Sequence, residues 1–227
     1  MRVGLIPRLV AGCTVLLSLC FTSAAMSDTP PAVSPEGLHL VKTPGIAVVY
    51  VKPGASLKAY DKFAILDCPV TFKEGWQREM QDDYDNPISD EQLTRIEGEL
   101  SAEFKKVFVS ELEAGGFQLS TTAAPDVLVL RPAIINLTIA APENMADPSE
   151  QVFATSAGQM TLYLELYDSV TSELLARVID PEAASDYGAF AWQSGVDNYA
   201  AADAIMKKWS DTLRKYMEAA RNAAGAG

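Results

Sequence analysis

Imidazole and thiol are the scarcest groups in this chain of 227 residues: it has one histidine, His39, and three cysteines, Cys13, Cys20 and Cys68. Cys13 and Cys20 fall in the N-terminal leader described below, so the rest of the chain has one histidine and one cysteine, too few for an ordinary zinc site, and a Ser-His-Asp or Cys-His arrangement must draw its base from a single position. No G-x-S-x-G elbow, H-E-x-x-H, C-x-x-C, G-x-x-x-x-G-K or G-x-G-x-x-G occurs, so those motif classes are excluded as well. Positive charge is also short, with 18 Lys+Arg against 30 Asp+Glu and a net charge of −12. With no basic patch interleaved with aromatics, nucleic acid is excluded as a partner. Of the residues present, 48% are hydrophobic, 21% charged and 8% aromatic, a globular composition rather than a disordered, collagen-like or coiled-coil one.

The N-terminus reads as an export signal. Arg2 and Arg8 form a positive leading region, Leu9 to Phe21 an apolar run, and Ser23 and Ala25 the small residues of a cleavage site. The run is well short of the roughly 20 residues a membrane span needs. Residues 1–25 are therefore expected to be a signal peptide cleaved after Ala25, giving a periplasmic protein with no transmembrane helix in the mature chain. The alternative is a lipid anchor at Cys13, because Leu9-Val10-Ala11-Gly12-Cys13 has the form of a bacterial lipobox. Against it, Arg8 leaves only four residues of apolar stretch before the cysteine. Cleavage would leave Cys68 as the sole thiol and rule out an intramolecular disulfide. Its setting in FAILDCPV predicts a buried, inert group.

Residues 26–45, rich in Pro, Ser, Thr and Gly, read as a flexible leader, and 46–223 as a single α/β domain. Strands are expected at 46–51 and 62–67, followed by a long polar connection over 69–88. A helix follows: Ser89 and Gln92 form a capping-box pattern, Leu93, Ile96, Leu100, Phe104, Val107, Phe108 and Leu112 a buried stripe, and Gly115-Gly116 the stop. The Val- and Ile-rich run 126–139 predicts a central strand covered on both faces, with a bulge or bend at Pro132. In 160–166 strict alternation puts Met160, Leu162, Leu164 and Leu166 on one face and Thr161, Tyr163 and Glu165 on the other. A hairpin leads into a strand at 174–179. After a second long loop over 180–198, a C-terminal helix capped by Asp197 or Asn198 runs to about Asn222. The predicted order is β-β-α-β-β-β-α: a mixed, mostly antiparallel sheet with two long helices packed on it, of α+β type.

Four stretches carry a family resemblance: Val49–Val70, Glu111–Leu119, Ala124–Leu137 and Leu164–Asp180. Their marks are a tyrosine before a strand, a Gly-Gly helix stop and an acidic hairpin tip followed by Glu-Leu-Leu. In these the chain resembles the bacterial envelope family known as domain of unknown function 3313, many of whose members are exported or lipid-anchored. The resemblance implies an exported mixed-sheet α/β domain similar to envelope accessory proteins, and it supplies no catalytic residues.

No cofactor is implied and no metal site is expected. Glu79, Asp82, Asp83 and Asp85 form an acidic group, but Pro87, Ile88 and Thr94 stand where a calcium loop needs an oxygen ligand, a glycine and a glutamate. The strongest lead is aromatic: Phe72 and Trp76 in one connection, and Tyr187, Phe190 and Trp192 in the other, lie outside the periodic core pattern. They predict a non-enzymatic, exported accessory protein that recognises an envelope protein partner through these loops. A small-ligand or cell-wall-binding module with a pocket between sheet and helices is the alternative. A carboxylate-based hydrolase is the remote one, with Asp67 the first acid to inspect. Clustered exposed aromatics would favour the first, a cavity the second and paired buried acids the third.

Overall fold

The computed structural model describes residues 29–83, 88–139, 152–154, 158–183, 191–193 and 195–225. In chain order the elements are β1 (His39–Val41), β2 (Val48–Val51), β3 (Lys62–Ile65), β4 (Val70–Phe72), α1 (Trp76–Asp83), α2 (Asp90–Ala114), β5 (Gln118–Leu119), β6 (Val127–Ile139), β7 (Val152–Ala154), β8 (Gly158–Asp168), β9 (Leu174–Ala183), β10 (Ala191–Gln193) and α3 (Gly195–Gly225). The chain divides into two compact units, Met1–Pro30 and Pro31–Gly227, and all these elements lie in the second.

Eight strands form one open sheet in the order β1-β2-β9-β8-β6-β3-β5, with β4 also paired to β6. Pairing is antiparallel from β1 through to β6 and parallel between β6 and its neighbours β3 and β4. β7 and β10 make a separate antiparallel ribbon. The expected α+β architecture, a mixed and mostly antiparallel sheet with two long helices, is the one observed.

Pro132 occupies a place along β6 that tolerates it. β3 pairs with Val127 to Leu130 and β4 with Ile134 onward, leaving a gap between them. Ile134 donates its N–H to Pro69 on that side. Backbone alternation turns the Pro132 nitrogen to the same side, into the gap, where no ladder bond is lost. The bulge in β6 comes later, between Ile135 and Thr138, where Asn136 takes a φ of 55°.

Both helices join one core with the inward rows of the sheet. Phe104 and Phe108 of α2 stack at 4.0 Å, and Met206, Trp209 and Met217 of α3 are buried beside Leu162, Leu164 and Leu166. α2 begins as predicted: Ser89 and Gln92 exchange both hydrogen bonds of a capping box. It ends in a Schellman turn. Phe117 N–H bonds to Leu112 C=O, Gly116 N–H bonds to Glu113 C=O, and Gly116 takes the required φ of 79°. Arg221 of α3 then donates to Gly115 C=O at 2.8 Å and lies 4.4 Å from the centre of the Phe117 ring.

Several expectations need correction. The described part of the 26–45 leader is built into the fold: Leu38 is buried, β1 pairs with β2, and the Tyr50 hydroxyl donates to Pro31 C=O. The 69–88 connection contains β4 and α1. β6 is covered on one side only, its burial alternating along much of the strand with Arg131 exposed. α3 starts at Gly195, so Asp197 and Asn198 lie inside it, and the helix continues to Gly225.

Candidate functional site

The strand registers align side chains in rows across the sheet, and the rows decide what each face can do. On the helix side one row runs Val41–Val49–Val178–Leu164 through β1, β2, β9 and β8. The adjacent row runs Val51–Ala176–Leu166. Ala176 is the smallest side chain in either row, and its lack of bulk leaves the floor low. α3 roofs this floor with Trp209, Leu213 and Tyr216, and Leu57 closes one flank. The result is an apolar cavity of about 160 Å³. Val41, 38% exposed, and Tyr216, 45% exposed, are the most exposed wall residues.

The roof is held from below by a buried carboxylate. Asp180 of β9 accepts the Trp209 indole N–H at 2.9 Å and the Ala47 backbone N–H at 2.7 Å, with the Lys208 ammonium 3.8 Å away. Thr212, also in the wall, donates its hydroxyl to Lys208 C=O at 2.8 Å. The indole N–H and the Thr212 hydroxyl proton are therefore both already committed.

The opposite face of the sheet is polar. Its central row is Tyr50–Arg177–Glu165–Arg131 across four strands, and the last three alternate in charge. Arg177 donates to both oxygens of Glu36, at 2.9 Å each, and to Glu165 at 2.8 and 3.0 Å. Tyr163 and Tyr167 add their hydroxyls to Glu165 at 2.9 and 2.7 Å. Burial alone would raise the Glu165 carboxyl, but its bonds from Tyr167, Arg177 and Tyr163 reverse that and hold it below its usual range. Bonding to Arg177 and Ser34 lowers Glu36 to about 2. A carboxylate acid/base pair needs one member raised toward neutrality, and both of these are depressed. This network fastens the segment ahead of β1 to the open face.

The residues singled out from sequence fall as follows. Trp76 is 4% exposed, a core residue, and Phe72 stacks on it at 4.8 Å. The expectation that Trp76 is a surface anchor is therefore corrected: the ring at the head of α1 belongs to the hydrophobic core, with Phe72 packed against it. Trp192 stands opposite Phe153 in the β10–β7 ribbon. Its side chain, Tyr187, Phe190, Ala25 and Cys13 lie outside the described residues. Asp67 is 97% exposed and 3.6 Å from Lys105, in no cleft. Glu79, Asp82 and Asp83 fall on α1, and Asp85 is outside the described residues. Cys68 is buried, and that burial pushes its thiol up to about 12. His39 is exposed on β1. Among the described residues no helix is long and apolar enough to cross a membrane.

A pocket between sheet and helices is the alternative that the sequence offers, but the residues that line it are what sequence reasoning missed. Val41 falls in the expected leader and Leu57 between two expected strands, and which strands are neighbours, and so which side chains form a row, is not carried by periodicity.

A family model described as "Protein of unknown function (DUF3313)" matches residues 39–213. No curated protein matches the chain. Among solved structures, a PelC dodecamer from Paraburkholderia phytofirmans is similar at 14% identity and a TM-score of 0.37, over 73% of this chain and 98% of that one. Protein XCC0632 from Xanthomonas campestris, of family DUF330, is similar at 8% identity and a TM-score of 0.35, over 73% of this chain and 88% of that one. A homolog of a neuraminyllactose-binding hemagglutinin from Helicobacter pylori follows at 10% identity and a TM-score of 0.29, over 73% of this chain and 95% of that one. Likenesses this remote carry no functional argument.

Proposed function

The chain belongs to the DUF3313 family, and on that premise we propose that it is a non-catalytic cell-envelope binding protein that holds a small ligand between the sheet and α3. The observation that carries this reading is the apolar cavity of about 160 Å³ beneath Trp209 and Leu213. Cavities of this kind, set between layers and lined by hydrophobic side chains, are where proteins take small molecules. Export is supported by the charged start, the apolar run Leu9 to Phe21 and the small residues up to Ala25. A non-catalytic role is supported by the exposed His39, the buried Cys68 thiol and the depressed carboxylates around Arg177.

Thermal-shift measurements on the purified chain against envelope metabolites test the reading. A ligand class that raises the melting temperature in a concentration-dependent way is the expected result. Melting unmoved by every class overturns it. Intact mass of the mature chain decides between cleavage after Ala25 and lipidation of Cys13.

One observation favours a second reading, capture of an envelope protein: the β7–β10 ribbon sets Trp192 opposite Phe153. Crosslinking in cells from residues 180–198 tests it, with one dominant envelope partner as the expected outcome and no reproducible partner as the opposing one.

A further inference from the structure

Resting on the binding reading above, we propose that the cavity takes the end of one unbranched alkyl chain, about six carbons of it, and leaves the head group of the amphiphile in water.

Three observations carry this. The first is the wall chemistry. The floor is Val, Ala and Leu throughout, and no charged side chain lines the cavity. The second is the hydrogen-bond inventory. The Trp209 N–H is committed to Asp180 and the Thr212 hydroxyl proton to Lys208 C=O, and the other polar side chains of the lining are two hydroxyls, those of Thr43 and of Tyr216, the latter on the exposed side. A sugar, peptide or nucleotide seated here carries more polar groups than two hydroxyls can pair and would leave most of them unsatisfied, a loss that apolar contact does not repair. A hydrocarbon has none to leave. The third is size. An apolar cavity of roughly 150 Å³ accommodates benzene, and this one is about 160 Å³. Room for about six carbons is enough for the end of an acyl chain and too little for a whole lipid. Tyr216 and Val41, the exposed wall residues, mark the side on which the rest of the molecule must emerge.

Calorimetric titration of the purified full chain with n-butanol through n-octanol reads the inference. Affinity is expected to rise about fourfold per methylene to about six carbons and then level off. Val178→Phe, which fills the floor, and Val41→Trp, which closes the exposed side, should each weaken n-hexanol about tenfold or more, the worth of two buried methylenes. Should Val178→Phe fail to fold, Val41→Trp, at an exposed position, still decides. Absence of alkanol binding, or binding indifferent to Val41→Trp, overturns the inference. A polar metabolite that stabilises the chain when alkanols do not overturns the alkyl assignment alone, whereas stabilisation by nothing overturns the binding reading with it. Phosphatidylcholine vesicles separate the two sources of such a chain. Sedimentation with them that n-hexanol reverses identifies a bilayer lipid, and alkanol binding without sedimentation identifies a free amphiphile; both satisfy the proposal.

Discussion

The Trp209 indole N–H points at the Asp180 carboxylate, 2.9 Å away in the interior, and so joins the C-terminal helix to the strand beneath it. Asp180 is 2% exposed and also accepts from Ala47. One carboxylate thus holds three segments at the edge of the cavity. Asp180→Ala should lower stability by about 2–4 kcal/mol, because two buried donors lose their acceptor. Trp209→Phe, which removes one donor and keeps most of the packing, should lower it by about 1–2 kcal/mol. Urea unfolding of both variants reads the difference.

Acid should loosen two attachments of the sheet, Glu36 on its open face and Asp168 at the end of β8. Glu36, through Arg177 and Ser34, and Asp168, through the Thr171 backbone N–H and the Tyr60 hydroxyl, are both lowered to about 2. A carboxyl depressed on folding contributes stability that is complete above its unfolded pKa of about 4 and is lost as pH falls through its folded value. The denaturation midpoint should therefore be level from pH 7 to about 5 and fall between about 4.5 and 2. Glu36→Gln should flatten that fall, and a slope identical to wild type would remove Glu36 from the account.

Trp76→Ala should act on the core. With 4% of its surface exposed and Phe72 stacked on it, truncation should cost about 3–5 kcal/mol. Chemical denaturation measures it, and a change under about 1 kcal/mol would return Trp76 to the surface.

Gly115 has no room for a side chain. A Cβ there would stand 2.7 Å from Cγ of Arg214, which is anchored by Glu111, Asp211 and Glu218. Gly115→Ala should lower stability by about 1–3 kcal/mol through overpacking between α2 and α3. Gly115→Ala combined with Arg214→Ala should recover part of that loss in the same unfolding assay.

Cys68 should ignore thiol reagents at pH 8 in the folded protein and react at once in denaturant. Its thiol is pushed up to about 12 by burial, so almost no thiolate is present to attack. Colorimetric titration with and without guanidinium distinguishes the two states.

The long elements were legible because each contains enough residues to show a period. The stripe from Leu93 to Leu112 read as α2, the alternation around Leu164 as β8, and Ser89 with Gln92 as a capping box. Thr161, Tyr163 and Glu165 were assigned to the outward face, where the Arg177 network lies. β1, β4 and β5 have three residues or fewer, too few for alternation to register. The run His39-Leu40-Val41 was hidden further by the Pro and Gly around it. α1 is polar apart from Trp76 and Met80, so Trp76 looked like a loop aromatic when it is the residue that fastens the helix. The cavity depends on Val41, Val49, Val178 and Leu164 meeting in one row. Only the pairing of strands remote in sequence creates that row, as it does Arg131–Glu165–Arg177 on the other face.

The strand order has a bearing on how the chain comes to be folded at all. β1 and β2 are made first, yet the strand they add to, β9, comes near the end, and Ala47 waits for Asp180 across 133 residues. A hairpin of three- and four-residue strands has no independent stability in water. Until β9 emerges, the N-terminal segment stays extended, and closure of the cavity must be among the last steps. High sequence separation of this kind slows folding. Under the export proposed above, slow closure would be an advantage: the chain would remain loose enough to pass a membrane pore, and the sheet would lock only after its final strands were across.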